Sequence, residues 1–197
     1  MVSKKFKTRD GADIYGYLTL PKGNVQRLIV YIHGGPYGIR DFDSYDFSEQ
    51  YLASKGAAIL KVNFRGSGGY GKDFIEDSYN EWGGTLLNDI ADATKSVQKE
   101  LGIGRENTCA FGASYGGYAA IAMAYKYSDL YECVAGGMGV YDLKILRDGS
   151  DGNIYTYNDD YEKMAEDFWG NDEARHVNFS PVYNADKMKS RILMWHG

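Results

Sequence analysis

One ten-residue stretch joins a short apolar run to a Gly-x-Ser-x-Gly pattern, Cys109-Ala110-Phe111-Gly112-Ala113-Ser114-Tyr115-Gly116-Gly117-Tyr118. Residues 107–113 favour a buried strand, and residues 117–127 carry Ala, Ile and Met at helical spacing. A serine at such a strand-to-helix turn has a strained backbone and an exposed hydroxyl, and the flanking glycines let neighbouring backbone pass close to it. The alternative, a tight turn with no chemical role, is disfavoured by the flanking strand and helix. We therefore predict that Ser114 is a nucleophile.

The composition is that of a single globular domain. The chain has 197 residues, of which 44% are hydrophobic, and a formal net charge of −5. Its mild acidity and the absence of a basic run argue against a nucleic-acid partner. No apolar run approaches the roughly 18 residues of a membrane-spanning helix, and the first residues lead into no apolar signal core. We predict no membrane association, a cytoplasmic location and no cofactor.

The order of predicted elements indicates an α/β fold. Two alternating runs flank Asp10-Gly11, which is a hairpin signal, and apolar runs at residues 28–32, 57–64, 131–138 and 191–195 read as further strands. Helical spacing covers residues 47–55 and 82–101, and residues 182–188 form a short helical connection. This alternation predicts a mostly parallel, doubly wound sheet with an N-terminal antiparallel hairpin. Cys109 and Cys133 fall in central strands, and we expect two buried free thiols rather than a disulfide or a metal site.

The loop His33-Gly34-Gly35-Pro36 follows the strand at residues 28–32. Acyl transfer needs backbone N–H donors where negative charge develops on the carbonyl oxygen, and glycines let a substrate approach them. We predict the amides of Gly35 and Tyr115 as these donors and a structural role for His33. The alternative is a Gly-Pro turn without a catalytic role.

Three further stretches have simpler interpretations. The glycine-rich residues 65–72 lack the Gly-Lys-Ser/Thr ending of a phosphate-binding loop, which disfavours nucleotide binding. Asp89 and Asp92 are expected to be surface or helix-packing carboxylates. Residues 147–177 are polar and poorly periodic except at 161–169, and we expect them to cap the site.

Together these motifs resemble the prolyl oligopeptidase family of serine peptidases, in its acylaminoacyl-peptidase and dipeptidyl-peptidase-like branch. The resemblance covers nearly the whole chain. It implies an α/β-hydrolase catalytic domain that is usually preceded by a β-propeller and cleaves short peptides through a Ser-Asp-His triad. The motifs that carry it are Thr8-Arg9-Asp10-Gly11, Ile14-Tyr15-Gly16, His33-Gly34-Gly35-Pro36, Asn63-Phe64-Arg65-Gly66-Ser67-Gly68-Gly69-Tyr70-Gly71, Gly112-Ala113-Ser114-Tyr115-Gly116-Gly117-Tyr118, Ser180-Pro181 and His196-Gly197.

The resemblance also implies that the triad acid and base lie beyond the His-Gly that follows the strand at residues 191–196. We therefore expect residues 1–197 to be a C-terminally incomplete catalytic domain without a propeller and with no useful turnover. Candidate substitutes for the triad partners are Asp142, His176 and His196. Asp142 has the simpler alternative of capping the next turn. An open sheet edge also predicts association with a second copy.

Two other functions are compatible with the same residues. An esterase or other small-acyl hydrolase would use the same fold and nucleophile, because these do not determine the leaving group. A non-catalytic interaction domain would retain the serine turn without any serine reactivity.

Overall fold

The computed structural model of the chain describes residues 1–148 and 159–197. The strands are β1 (Val2–Lys7), β2 (Asp13–Thr19), β3 (Arg27–Ile32), β4 (Ala57–Asn63), β5 (Thr108–Ala113), β6 (Cys133–Gly137) and β7 (Arg191–Trp195). The α-helices are α1 (Phe47–Ser54), α2 (Lys72–Glu76), α3 (Thr85–Leu101), α4 (Tyr115–Lys126), α5 (Leu143–Arg147), α6 (Asp159–Trp169) and α7 (Glu173–Phe179). Short 3₁₀ helices cover Arg105–Asn107 and Pro181–Lys187.

The described strands form one sheet in the order β1-β2-β4-β3-β5-β6-β7. The strand β2 pairs antiparallel with both β1 and β4, and all other pairs are parallel. The predicted α/β class, the N-terminal hairpin and the mostly parallel sheet are thus confirmed. Because parallel strands end at one edge, the residues that follow β3, β5 and β6 meet there.

The core lies between the sheet and the helices α3 and α4. The strand β4 is buried along its whole length, and the first ten residues of α4 are buried as well. One face of α3 is buried against the sheet through Leu86, Leu87 and Ile90, and the helix ends at Gly102, whose φ of 65° is left-handed. This packing fixes the start of α4, and therefore Ser114, relative to the centre of the sheet.

Several short helices were not predicted from the sequence. The predicted helix at residues 82–101 begins at Thr85, whereas α2, α5 and α7 were missed because each has at most seven residues. Aspartate caps start two of them: Asp142 accepts from the first-turn amides of α5, and Asp172 from those of α7. In the part of the chain that the structure describes, no helix is both long and apolar enough to cross a membrane.

The expectation of two free thiols is wrong, because Cys109 and Cys133 form a disulfide. The two residues lie directly opposite each other in the register of β5 and β6, with Cα atoms 4.6 Å apart. That separation suits a disulfide. The sequence placed both cysteines in strands but could not show that the strands were neighbours in this register. Disulfides are more typical of oxidising compartments, and the cytoplasmic location stays a prediction.

We expect the unreduced protein to resist alkylation by iodoacetamide under denaturing conditions, because both thiols are consumed in the Cys109–Cys133 bond. After reduction, both cysteines should be alkylated. Peptide mapping by mass spectrometry reads both states. Alkylation of the unreduced protein at either position would contradict the disulfide.

The strand β7 lies at one edge of the sheet, next to β6 alone among the described strands. All five of its residues are exposed, including Leu193 and Met194. An apolar edge of this kind is a template for pairing with another strand. Association with a second copy therefore stays a prediction that sedimentation can test.

Candidate active site

The turn between β5 and α4 holds Ser114 in a backbone conformation that few residues other than glycine adopt. Its φ is 57° and its ψ is −125°. The Ser114 amide donates to the carbonyl of Gly137 at 2.9 Å, and its own carbonyl accepts from Tyr118 at 3.0 Å. These bonds tie the turn to the end of β6 and to α4 while Ser114 itself remains exposed.

The two glycines of the pattern allow backbone to cross at this turn, as the sequence predicted. A Cβ at Gly112 would lie 2.5 Å from the carbonyl of Gly116, and a Cβ at Gly116 would lie 2.1 Å from the carbonyl oxygen of Ile32. Real Cβ atoms do not approach other atoms so closely. The end of β3 therefore passes directly against the start of α4.

This crossing brings the loop after β3 next to Ser114. A Cβ at Gly34 would lie 3.5 Å from the Cβ of Ser114 and 4.0 Å from its hydroxyl oxygen. Gly35 follows with a φ of 115°, a value that favours glycine. Within residues 1–148 and 159–197, neither the Gly35 amide nor the Tyr115 amide donates to a protein acceptor. Two backbone donors are therefore available beside the serine.

His33 is buried and faces away from Ser114. Its Nδ1 lies 2.7 Å from the carbonyl oxygen of Gly34, and its Nε2 lies 3.0 Å from the hydroxyl of Ser67. The ring stacks on Phe64 with centroids 4.3 Å apart. Burial lowers the pKa of His33 to about 4, so the imidazole is neutral at pH 7. These contacts agree with the structural role expected for His33.

The Tyr115 side chain belongs to an aromatic cluster behind the turn. Its hydroxyl donates to the carbonyl of Trp82 at 3.0 Å, and its ring contacts those of Phe64 and Tyr118. Burial raises the pKa of the Tyr115 phenol well above its ordinary value. Tyr115 is therefore able to offer its backbone amide to the site but not its hydroxyl.

Part of the segment expected to cap the site packs on the loop after β3. The ring of Phe168 in α6 lies 4.2 Å from that of Tyr37, and the Tyr37 hydroxyl donates to the Phe168 carbonyl at 3.1 Å. Trp169 packs edge-on against Trp82. The expectation of a cap is supported for α6 and α7, whereas residues 149–158 of the predicted segment lie outside the described residues.

The three candidate substitutes for triad partners all have other contacts. Asp142 accepts from the amides of Lys144 and Ile145 through one oxygen and from Tyr183 through the other. His176 is buried in α7, where its Nε2 lies 2.8 Å from the carbonyl oxygen of Trp169.

His196 is exposed just after β7, at the carboxyl edge of the sheet. The neighbouring Trp195 carbonyl accepts from Met138, which follows β6. Among the described residues, no histidine or carboxylate is hydrogen-bonded to the Ser114 hydroxyl. No cluster of metal-ligating side chains is found in the same part of the chain.

An ion-pair cluster beneath the site was not predicted. Arg65 follows β4, and its guanidinium makes a bidentate contact with Asp89 in α3 at 2.9 and 2.6 Å. The Arg65 amide also donates to Asp89 at 3.0 Å, and the guanidinium reaches Asp10 at 2.7 Å. Asp89 is fully buried, so a surface position for it is wrong and a packing role is correct. The sequence signal was the arginine at the start of the glycine-rich loop, which has no partner within a few residues.

Comparison with known proteins gives a consistent assignment. The family model described as the prolyl oligopeptidase family matches residues 43–197. Dipeptidyl aminopeptidase BIII of Pseudoxanthomonas mexicana is 35% identical over 149 residues, which cover 71% of this chain and 22% of the relative. Dipeptidyl peptidase family member 6 of Caenorhabditis elegans is 29% identical over 198 residues, which cover 98% of this chain and 26% of the relative.

Solved structures agree with this result. The Pyrococcus horikoshii acylaminoacyl peptidase superposes with a TM-score of 0.84 at 25% identity, over 99% of this chain and 31% of that one. A puromycin hydrolase superposes with a TM-score of 0.83 at 25% identity, over 98% of this chain and 30% of that one. The chain thus spans about a quarter to a third of the length of these proteins. By the extent of the family match, the chain belongs to the prolyl oligopeptidase family.

Proposed function

We propose that this chain carries the nucleophile and oxyanion-binding half of a serine peptidase that acts on short peptides. The observation that carries the proposal is the turn at Ser114, where an exposed hydroxyl in a strained backbone lies beside the Gly34–Gly35 loop. The match to a peptidase family and the peptidases among its relatives support peptides as the substrate class. A peptidase needs such a nucleophile next to donors for the developing oxyanion.

In the proposed reaction, the scissile carbonyl carbon lies above the Ser114 hydroxyl oxygen. The carbonyl oxygen lies between the amides of Gly35 and Tyr115, whose hydrogens stabilise it as it becomes negative. The Ser114 oxygen forms the acyl bond, the amine leaves with a proton, and water then hydrolyses the ester. A base must take the serine proton in the first step.

The supply of that base determines the rate. His176 and the carboxylate of Asp142 have other hydrogen-bond partners, and His196 is exposed without a contact to Ser114. We therefore propose that these residues alone support only slow turnover. Oxyanion donors and binding can retain about 10³–10⁴-fold catalysis over water when triad members are lost.

We expect a fluorophosphonate probe to label the protein once per chain and Ser114→Ala to abolish the labelling. The probe reacts with an activated serine and adds a phosphonyl group that intact mass detects. Ser96→Ala, on the exposed face of α3, is the matched control and should label like the unmodified protein. No labelling of the folded protein, or labelling that survives Ser114→Ala, would contradict the proposal.

Paired substrates separate a peptidase from an esterase. An amide and an ester with the same acyl part form the same acyl-enzyme, so their rates differ only through the leaving group. Hydrolysis of the ester alone, lost in Ser114→Ala, would favour the esterase and count against the peptidase proposal.

A further inference from the structure

We infer that Ser67 is a positioning residue that acts through His33 to hold the Gly34–Gly35 backbone beside Ser114. This inference rests on the proposed function, in which the Gly35 amide binds the oxyanion. Ser67 lies on the glycine-rich loop after β4 and is fully buried. It is too deep to touch a substrate.

The hydrogen bonds around His33 have only one consistent direction. The carbonyl oxygen of Gly34 can only accept, so the Nδ1 atom of His33 carries the proton. In a neutral imidazole Nε2 is then an acceptor, and the Ser67 hydroxyl donates to it at 3.0 Å. Ser67 therefore fixes both the tautomer and the orientation of the ring that holds the Gly34 carbonyl.

Backbone contacts between the two loops keep Ser67 in place. The Gly38 amide donates to the Gly66 carbonyl at 2.9 Å, and the Gly68 amide donates to the Ile39 carbonyl at 3.0 Å. A Cβ at Gly68 would lie 2.3 Å from the carbonyl oxygen of Gly38, so only glycine permits this approach. The pair of Arg65 with Asp89 anchors the start of the same loop to α3.

The hydrogen bond from His33 to Gly34 lies close to the reacting atoms. The Gly34 Cα carries hydrogen where a Cβ would be 4.0 Å from the Ser114 hydroxyl oxygen. Gly34 and Gly35 have no side chains to hold them, so their position depends on backbone contacts and on the His33 ring. Without the Ser67 hydroxyl, the buried Nε2 atom has no donor and the ring is free to turn.

The test compares Ser67→Ala and Ser67→Thr with Ser190→Ala. Ser190 is a matched control because its hydroxyl also donates one hydrogen bond, to the Tyr131 carbonyl at 2.7 Å, at the opposite edge of the sheet. Glycine- and histidine-labelled samples give the amide signals of Gly34 and Gly35 and the ring ¹⁵N signals of His33. The rate of fluorophosphonate labelling at Ser114 is measured on the same samples.

In Ser67→Ala we expect the His33 Nε2 signal to move toward that of an unbonded acceptor. The Gly35 amide should exchange with solvent about 10-fold faster than in Ser190→Ala, which corresponds to one lost hydrogen bond. Labelling should slow by about 10-fold or more, because a small displacement of a catalytic donor has a large effect on rate. Ser67→Thr retains the hydroxyl and should restore the His33 signal.

Two results separate this inference from the proposed function. If the unmodified protein is not labelled, the proposed function fails, while the His33 and Gly35 signals still decide the role of Ser67. If Ser67→Ala leaves both signals as they are in Ser190→Ala, the inference is wrong whatever the labelling rate. Equal general loosening in Ser67→Ala and Ser190→Ala would likewise reduce Ser67 to a packing residue and overturn it.

Discussion

Replacing Asp89 with asparagine is expected to lower the free energy of unfolding by about 3–5 kcal/mol, because it leaves a buried guanidinium without its principal counter-ion. Asp89 accepts two hydrogen bonds from the Arg65 side chain and one from the Arg65 amide. Asparagine has the same shape but presents one NH₂ group toward these donors. The only other carboxylate on Arg65 in the described residues is Asp10, whose side chain is 50% exposed. Urea unfolding followed by circular dichroism measures the loss.

Asp92→Asn provides the matched control on the same helix. Asp92 pairs with Arg9, whose side chain is 42% exposed, and such pairs contribute at most about 1 kcal/mol. Both variants remove one charge from α3, so a general effect of charge would act equally on them. A loss in Asp89→Asn no greater than that in Asp92→Asn would show that the Arg65 pair does not stabilise the fold.

The sequence predicted the fold well because its strongest signals are local. The Asp10-Gly11 turn identified the hairpin, and the continuous apolar runs of β3 and β4 identified buried strands. The short helices around residues 143–179 are fixed by capping aspartates and by packing against the loop after β3. A few residues of helical spacing are too weak a signal to predict them.

Site residues divide in the same way. Ser114 and the glycines beside it were predictable because the turn requires them at fixed spacing. The Cys109–Cys133 disulfide and the Arg65–Asp89 pair were not, since each joins residues 24 positions apart through the alignment of separate elements. Ser67 was quoted within a motif, but its contact with His33 appears only when two loops lie together.

These non-local contacts converge on one place. Arg65 anchors the glycine-rich loop to α3, Ser67 links that loop to His33, and His33 holds Gly34. The disulfide joins β5 and β6, the two strands that lead to Ser114 and Gly137. The loop and the nucleophile are thus fixed by separate sets of contacts, and they meet only where β3 crosses the start of α4.

Substituting alanine for Gly116 is expected to disrupt that crossing and to destabilise the protein by about 3 kcal/mol or more, through overpacking against backbone. The added Cβ would lie 2.1 Å from the carbonyl oxygen of Ile32 and 3.0 Å from that of His33. The strand β3 cannot move away, because it is paired with β4 on one side and β5 on the other. The start of α4 must shift instead, which separates Ser114 from the Gly34–Gly35 loop.

The shift at Gly116 has two measurable consequences that need not have the same size. Urea unfolding reports the lost stability, and the rate of fluorophosphonate labelling reports the lost alignment of the serine with its oxyanion donors. Gly23→Ala is the matched control, since a Cβ there has no atom within 4 Å and should change the stability by no more than about 0.5 kcal/mol. If Gly116→Ala were as stable as Gly23→Ala and labelled at the same rate, the close approach of β3 to α4 would not be what aligns the site. A stable Gly116→Ala protein that labels slowly would instead show that the crossing matters for alignment more than for folding.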